Sequence, residues 1–254
     1  MRLAQANRRR ILINTQDVVL WTPSELTTTL WLDAADSDSI TIATGVSSWN
    51  DKSGNLNHAV QTTGSSQPTY TASDPILNNK PTIKNGTSVQ YLQTPSLGAK
   101  RMYFVAYYSD GITTTFDNHN GLFNGSECRL TGRSGDNRVF DGTRSANNFD
   151  NPDSGATQYR NGSTTDSAYQ ANGLPMPGDI FKITSWQVWT QDWLILSNTQ
   201  AWTYWNGGLG EIIFTDGTED LTTQKKVEGY LAHKWGLEAK LPIDHPYKDN
   251  APTV

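Results

Sequence analysis

From residue 30 onward the chain alternates short apolar segments with polar turns. The apolar segments are rich in β-branched and aromatic residues, and several alternate apolar with polar positions, which is the pattern of half-buried β-strands. They are TLWLDA, SITIA, VQYL, RMYFVAYY, RVFD, IFKITSWQVW, WLILS and EIIFT. The Asn-Gly pairs between them favour the positive φ angles of tight hairpin turns, and they begin at Asn85, Asn124, Asn161, Asn172 and Asn206. We therefore predict an all-β protein whose strands fill the two faces of a β-sandwich.

One segment, DLTTQKKVEGYLAHKWGLEAKLP, has the period of an α-helix. Four of its larger apolar residues share one face at helical spacing: Val227, Tyr230, Leu231 and Trp235. Asp220 or Thr222 can cap the start of this helix, and Gly236 can end it. Gly229 in its middle costs about 1 kcal/mol relative to alanine, which predicts close packing of the helix against a sheet.

Residues 1–22 differ from the rest of the chain. Arg8, Arg9 and Arg10 precede an apolar run that starts with Ile11 and Leu12. A basic segment followed by an apolar one suits contact with an acidic or apolar neighbour. We predict an extended N-terminal arm at residues 1–22, with these five residues as its assembly contact, and a single domain at residues 23–254.

Composition disfavours several classes of protein. The formal net charge of −5 gives no basic field for nucleic acid, so we expect no nucleic-acid partner. The single cysteine, Cys128, allows no internal disulfide, and four scattered histidines offer no ligand set for a structural zinc. No apolar run approaches the roughly 20 residues of a membrane helix. The first residues also lack the apolar segment and cleavage site of a signal peptide, so we expect synthesis in the cytoplasm and no membrane partner.

The stretch SWNDKSGNLNHAV places oxygen-bearing side chains at alternate positions around a glycine. It is not an EF-hand loop, because Leu56 stands where that motif requires glycine and Thr62 where it requires glutamate. A looser calcium site formed by Asp51, Asn55 and Asn57 remains open, and calcium is the one cofactor that we consider. The alternative is a turn in which Asp51 accepts backbone N–H groups.

Catalytic patterns are weak in this chain. β-Sandwich glucanases carry their carboxylates along one strand as Glu-x-Asp-x-x-Glu, but here Ile213 takes the place of the aspartate after Glu211. There is no Gly-x-Ser-x-Gly elbow, and we interpret Cys128 as a structural thiol. A second acidic group consists of Asp33, Asp36 and Asp38, which we interpret mainly as turn and cap residues. We therefore expect a protein that is not an enzyme.

Five tryptophans lie close together, at positions 186, 189, 193, 202 and 205. Exposed aromatic faces are suited to stacking on sugars, although the same side chains fill cores and interfaces. Trp202, Tyr204 and Trp205, beside Asn206, are the residues that we expect to be exposed and to bind glycan. The polar stretch 141–179 is predicted to form long surface loops around one short hairpin, on the rim of such a site.

Three stretches resemble the laminin-G-like, concanavalin A-like jelly-roll domains of bacteriophage structural proteins and bacterial surface proteins. They are LTTTLWLDAADSDSITIATGVSSWNDKSGNLNHAVQ, YWNGGLGEIIFTDG and VEGYLAHKWGLEAKLPIDHPYK. The resemblance implies a jelly-roll β-sandwich with one short C-terminal helix. It also implies that the stretch from Asp51 to Asn57 is chiefly a structural turn. It says little about activity, because this sandwich serves lectins, hydrolases, adhesins and capsid-surface proteins alike.

The resemblance and the arm together suggest a non-enzymatic structural protein of a bacteriophage virion. We expect a capsid decoration or head-fibre protein that binds the major capsid protein or another virion protein. It would be made in the bacterial cytoplasm and would form a homo-oligomer, with a trimer favoured. The alternative is a tail adhesin that recognises a glycan on the host surface.

Overall fold

The structure is a computed structural model that describes residues 18–85, 90–117, 120–132, 149–151, 154–164, 173–197 and 204–254. The predicted assembly residues Arg8, Arg9, Arg10, Ile11 and Leu12 lie outside the described residues, as does the RVFD segment. The strands are β1 Leu30–Asp33, β2 Ile40–Ile42, β3 Val46–Trp49, β4 Ala59–Val60, β5 Thr69–Asp74, β6 Lys80–Asn85, β7 Leu92–Tyr108, β8 Gly121–Asn124, β9 Arg129–Thr131, β10 Thr157–Arg160, β11 Ser163–Thr164, β12 Asp179–Ile195 and β13 Gly207–Thr215. The α-helix is α1, Leu221–Trp235.

Within the described residues all of these strands join one nearly closed sheet. The main strand order is β11-β10-β12-β7-β13-β6-β5, and β1 pairs with β13 beside β6. The long strands β7 and β12 pair antiparallel, and each also bonds to further strands along its length. β7 bonds to β4 near its start and to β13 later, while the last residues of β12 bond to β8. The prediction of an all-β protein with one C-terminal helix is confirmed.

The two long strands, β7 and β12, contain segments that the sequence pattern predicts as separate strands. RMYFVAYY lies in β7, while VQYL contributes only its last residue, Leu92. IFKITSWQVW and WLILS merge into β12, whose register with β7 shifts between Thr184 and Trp189 and again between Asp192 and Leu194. Such irregularities bend a strand without ending it, so one continuous strand can follow a curled sheet.

Aromatic rings fill the inner side of the curled sheet. Phe104 of β7 stacks on Phe181 of β12 with ring centroids 5.3 Å apart, and it meets Phe123 edge-on at 5.2 Å. Phe214 of β13 contacts both Phe123 and Trp193. Such rings bury large apolar areas and pack in stacked and edge-on pairs, so they contribute strongly to the core of the sheet.

Helix α1 begins and ends where the sequence predicts. The Asp220 carboxylate accepts a hydrogen bond of 2.7 Å from the backbone N–H of Thr223, and Gly236 ends the helix with a φ of 68°. The prediction that Gly229 packs against the sheet is wrong, however. A Cβ at Gly229 would lie 2.4 Å from Cβ of Tyr247, so the glycine makes room for the C-terminal segment and not for the sheet.

One of the Asn-Gly turns has the predicted geometry. Asn161 and Gly162 have φ angles of 52° and 80° and join β10 to β11, which confirms a short hairpin in the loop region. Asn124-Gly125 lies where β8 ends, and Asn206-Gly207 leads into β13, but neither pair has the positive φ that the dipeptide favours. An Asn-Gly pair therefore forms a tight turn at one of these places and not at the two others, which lie at the ends of sheet strands.

The described end of the predicted arm is attached to the domain. Leu20 forms a bridge with Thr253, and the backbone N–H of Trp21 donates to Pro252 O at 2.9 Å. The Trp21 ring is buried and meets the ring of Tyr230 edge-on at 5.9 Å. Trp21 thus belongs to the core, although the sequence places it inside an arm that ends at residue 22.

A buried carboxylate fastens the β10–β11 hairpin to the segment after α1. Asp179 accepts hydrogen bonds from Arg160 at 2.6 Å, from Asn161 at 2.7 Å and from Lys240 at 2.8 Å. Burial alone would raise the pKa of Asp179, but the charges of Arg160 and Lys240 outweigh it and hold that pKa below its ordinary value.

We expect Gly229→Ala to destabilise the protein by about 1–3 kcal/mol, because the added methyl group overlaps Tyr247 and the core is already filled. Urea unfolding followed by tryptophan fluorescence measures this. Gly217→Ala is the matched control, since a Cβ at Gly217 meets nothing within 4 Å. Equal stability of the two variants would contradict the packing of Tyr247 on the helix.

Asp179→Asn should destabilise the protein at pH 7 by about 3 kcal/mol, because Arg160 and Lys240 lose their buried partner. A lowered folded pKa contributes stability that is complete above the ordinary value of 3.8 and is lost as the pH falls through the lowered pKa. The difference from wild type should therefore shrink in urea titrations at pH 3. The exposed Asp249→Asn is the control, and a difference that is independent of pH would contradict the ionised state of Asp179.

Candidate functional site

The predicted calcium loop is a turn built around Asp51. Its carboxylate accepts hydrogen bonds from the backbone N–H groups of Trp31 at 2.9 Å, Ser53 at 2.9 Å and Asn57 at 3.0 Å, and from the Ser53 hydroxyl at 2.6 Å. Gly54 takes a φ of 88°. The Asp51 side chain is buried, and Trp49 is buried with it. These contacts are those of the side-chain-stabilised turn.

The two asparagines of this turn hold the chain that leads into β1. The side-chain amide of Asn55 donates to Thr28 O at 2.7 Å, and that of Asn57 donates to Thr29 O at 2.8 Å. In the part of the chain that the structure describes, no three His, Cys, Asp or Glu residues are grouped to hold a metal ion. Calcium binding by Asp51, Asn55 and Asn57 stays a prediction, whereas the structural role of the turn is visible in its hydrogen bonds.

The predicted glycan-binding loop does not present its tryptophan to solvent. Trp205 is 0% exposed, its indole N–H donates to Tyr107 O at 3.0 Å, and its ring packs edge-on against Tyr108 at 5.2 Å. The expectation that Trp205 is exposed is therefore wrong. Tyr204 and Asn206 are half-buried.

Trp202 lies outside the described residues. Of the predicted rim at 141–179, only residues 149–151, 154–164 and 173–179 are described.

The structure instead exposes a tryptophan where β12 bends. Trp186 is 44% exposed and stands edge-on to Trp189 with ring centroids 5.9 Å apart. Trp189 is held by its indole N–H, which donates to the hydroxyl of Ser185 at 2.8 Å. Trp186 therefore projects from a neighbour that is fixed in place. We call Trp186 and Trp189 the tryptophan pair.

Polar groups share the exposed face of β12 with Trp186. Thr190 and Asp192 are exposed, and the carboxylate of Asp192 accepts a hydrogen bond of 3.3 Å from Gln93 of β7. Val188, which is 42% exposed, lies beside Gly98 on the same face. Trp186 therefore presents an aromatic ring on a strand face that also carries exposed polar side chains.

The densest group of charged side chains lies between the sheet and α1. Asp33 of β1 and Glu211 of β13 are directly opposite each other in the antiparallel register. Glu211 is fully buried, and its Oε1 accepts from the Trp31 indole at 2.8 Å and the Tyr230 hydroxyl at 2.9 Å. Its Oε2 accepts from the Trp235 indole and from Lys234, at 2.8 Å and 2.7 Å.

Lys234 continues this network to Asp33, which it contacts at 2.8 Å. Asp33 also pairs with Lys52 at 2.9 Å, and Lys52 pairs with Asp36 at 2.7 Å. Burial raises the pKa of Glu211, the charge of Lys234 opposes that rise and the charge of Asp33 adds to it. The hydrogen bond and the charge of Lys52 lower the pKa of Asp36 despite its partial burial.

This network corrects the interpretation of the acidic residues. Asp33 does accept a turn hydrogen bond from the N–H of Ala35, but it also forms two ion pairs. Asp36 makes no side-chain cap bond, although it stands at the start of a short 3₁₀ turn. The pattern of carboxylates along a single strand does not detect the pair formed by Asp33 and Glu211, because its members lie on neighbouring strands. Lys234 bridges that pair, and Glu211 is fully buried.

A second polar contact joins β12 to the other end of α1. The amine of Lys182 donates to the side-chain oxygen of Gln224 at 2.7 Å, and Gln224 donates to Glu228 at 2.7 Å. Glu228 also contacts His245 at 3.1 Å. Burial lowers the pKa of Lys182 to about 8. These side chains hold the helix to the sheet and to the C-terminal segment at once.

Comparison of this chain with protein-family models, with curated proteins and with solved structures finds no match. Among the described residues no helix is long and apolar enough to cross a membrane.

Proposed function

We propose that this chain is a concanavalin A-like jelly-roll domain and a non-enzymatic structural protein of a bacteriophage virion. The three stretches that carry the resemblance to this family meet in one place. The first supplies Trp31, Asp33 and Lys52, the second supplies Glu211, and the third supplies Lys234. Their direct contacts support the interpretation that these motifs are the structural fingerprint of a common fold.

The observation that carries the assembly role is an apolar strip at the point where residues 1–17 join the domain. It consists of Val18, Val19, Leu20 and Val254, which are 70%, 64%, 59% and 68% exposed. The N–H of Val254 donates to Val19 O at 3.1 Å, so the segment from Val18 to Leu20 lies beside Val254. Adjacent apolar side chains with this much exposure favour contact with a partner protein.

In this proposal the apolar strip and the basic segment Arg8–Leu12 act together. The strip buries apolar area on the major capsid protein or another virion protein, while the arginines meet acidic groups beside it. A closed homo-oligomer, with a trimer favoured, multiplies weak single contacts into stable attachment. The protein is then a capsid decoration or head-fibre protein that is made in the bacterial cytoplasm and resides in the virion.

A non-enzymatic role is consistent with the way the buried carboxylates are held. Asp51, Asp179 and Glu211 each accept three or more hydrogen bonds from fixed donors. Carboxylates held in this way orient the chain, because their hydrogen bonds are made to donors of the chain itself.

The experiment compares binding of variants to phage particles that lack the protein. Deletion of residues 1–17, and the double variant Val18→Asp with Leu20→Asp, should each reduce occupancy at least ten-fold while the domain stays folded by circular dichroism. Ile112→Asp changes an apolar residue that is 74% exposed in another loop, and it should bind like wild type. Full occupancy of both test variants would contradict the assembly role. Immunogold labelling of intact particles distinguishes the head from the tail.

The tryptophan pair favours a second candidate function, a tail adhesin that binds a glycan on the host surface. Trp186 presents an aromatic surface for stacking on a sugar ring, and Thr190 and Asp192 are available for hydroxyl groups on the same face. This location replaces the predicted site at Trp205. Tyr204 and Asn206 are half-buried and flank the buried Trp205, and Trp202 lies outside the described residues.

A glycan array probes this second function directly. We expect a saturable signal for particular sugars that Trp186→Ala weakens about ten-fold, since one aromatic stack is worth about 1.4 kcal/mol. Val188→Ala is the matched control, because it removes an exposed aliphatic side chain from the same face and keeps both rings. An array without any sugar-specific signal would count against the adhesin and would leave the decoration role unaffected.

A further inference from the structure

The Lys234 amine lies between two carboxyl groups on adjacent strands. Its Nζ is 2.8 Å from Oδ2 of Asp33 and 2.7 Å from Oε2 of Glu211. The side chains of Asp33 and Glu211 are 5% and 0% exposed, and that of Lys234 is 21% exposed. An amine held this close to a buried carboxyl group is placed for a reaction that is too slow in solution.

The two oxygens of Asp33 are held in different ways. Oδ1 accepts a hydrogen bond of 3.0 Å from the backbone N–H of Ala35. Oδ2 faces both Lys234 and, at 2.9 Å, Lys52. The Ala35 N–H is placed to stabilise negative charge that develops on Oδ1, as a donor in an oxyanion hole does. Oδ2 is the oxygen in contact with the Lys234 amine, so it is the one that can receive a proton directly from that amine and leave.

Glu211 is suited to carry a proton between these groups. Its Oε2 touches the Lys234 amine, and burial raises its pKa, a rise that Asp33 reinforces and Lys234 opposes. The indole N–H groups of Trp31 and Trp235 fix its two oxygens. A fixed carboxyl group with a raised pKa can accept a proton and return it within one site.

We propose that Lys234 and Asp33 join in an intramolecular amide bond and that Glu211 relays the proton. One proton first passes from Nζ to Oδ2 across their contact, which gives a neutral amine and a neutral carboxyl group. Nζ then attacks Cγ of Asp33 and the C–N bond forms. Glu211 takes a proton from the nitrogen and delivers it to Oδ2, and the Cγ–Oδ2 bond breaks. Oδ2 leaves as water, Oδ1 becomes the amide oxygen, and nothing is oxidised or reduced.

Asp33 and not Glu211 is the acyl donor, because each oxygen of Glu211 is held by an aromatic side chain. Oε1 accepts from Trp31 and Tyr230, and Oε2 accepts from Trp235 as well as Lys234. Loss of either oxygen would leave a buried N–H without an acceptor. The bond would tie β1 to the end of α1 across most of the chain and so restrict the unfolded state. This inference is independent of the proposed function.

Intact-mass spectrometry of the purified full chain is the first measurement. The wild type should be about 18 Da lighter than its sequence, the mass of one water. Trypsin should release one branched species that contains residues 11–52 joined to residues 227–240, because an acylated Lys234 is no longer a cleavage site. Fragmentation of that species should place the bond between Asp33 and Lys234.

Two variants complete the experiment. Lys234→Arg keeps a cation in the ion-paired cluster but lacks the nucleophilic amine, so it should have its full sequence mass. Glu211→Gln keeps hydrogen-bonding atoms but cannot relay the proton, so the mass loss should be at least ten-fold slower in a time course after cell-free synthesis. Circular dichroism verifies that both variants are folded.

A wild type of full sequence mass, with residues 11–52 and 227–234 recovered as separate peptides, overturns the proposal. It shows that the contact is an ion pair only. A mass loss that persists in Lys234→Arg overturns it as well, because water is then lost elsewhere. Since the wild-type peptide map needs no variant, a variant that does not fold leaves this test intact.

Discussion

The carboxylate of Glu211 is the constraint on which the fold depends. A charged group buried without partners would cost several kcal/mol or more. Glu211 avoids that cost because donors from separate parts of the chain converge on it: Trp31 from β1, and Lys234 and Trp235 from α1. The hydrogen bonds are complete only when β1, β13 and the helix are all in place. The network therefore selects one arrangement of these elements, beyond what apolar packing specifies.

The same principle recurs where the chain has no disulfide to connect distant segments. Asp51 holds the approach to β1, Asp179 holds the β10–β11 hairpin to Lys240, and Glu228 holds α1 to His245. Each carboxylate is buried and accepts several donors, so each replaces hydration with fixed partners. These contacts fix the domain without using the exposed face of β12 around Trp186 or the apolar strip. Those two surfaces are thus separate from the groups that hold the fold.

The tryptophans show why exposure was harder to predict than strand content. Trp205 precedes an Asn-Gly pair that favours a turn, but β13 begins at Gly207 and Trp205 enters the core beside Tyr108. Trp186 lies in a strand that the pattern predicts, at one of the alternate positions that also carry Val188, Thr190 and Asp192, all of which are exposed. Alternation separates the two faces of a strand, but only the packing of the folded sheet decides which face is covered.

The sequence by itself determined the features that depend on neighbouring residues. These are the β-strand content, the helix Leu221–Trp235 with its end at Gly236 and its start at one of two candidate caps, and the hairpin at Asn161-Gly162, because propensity, capping and turn geometry act over a few residues. Only the tertiary structure decided which side chains meet. The Trp31 indole and the Glu211 carboxylate are 180 positions apart, so no local pattern specifies their contact. The closing of the sheet brings them together and supplies the partners that a buried carboxylate requires.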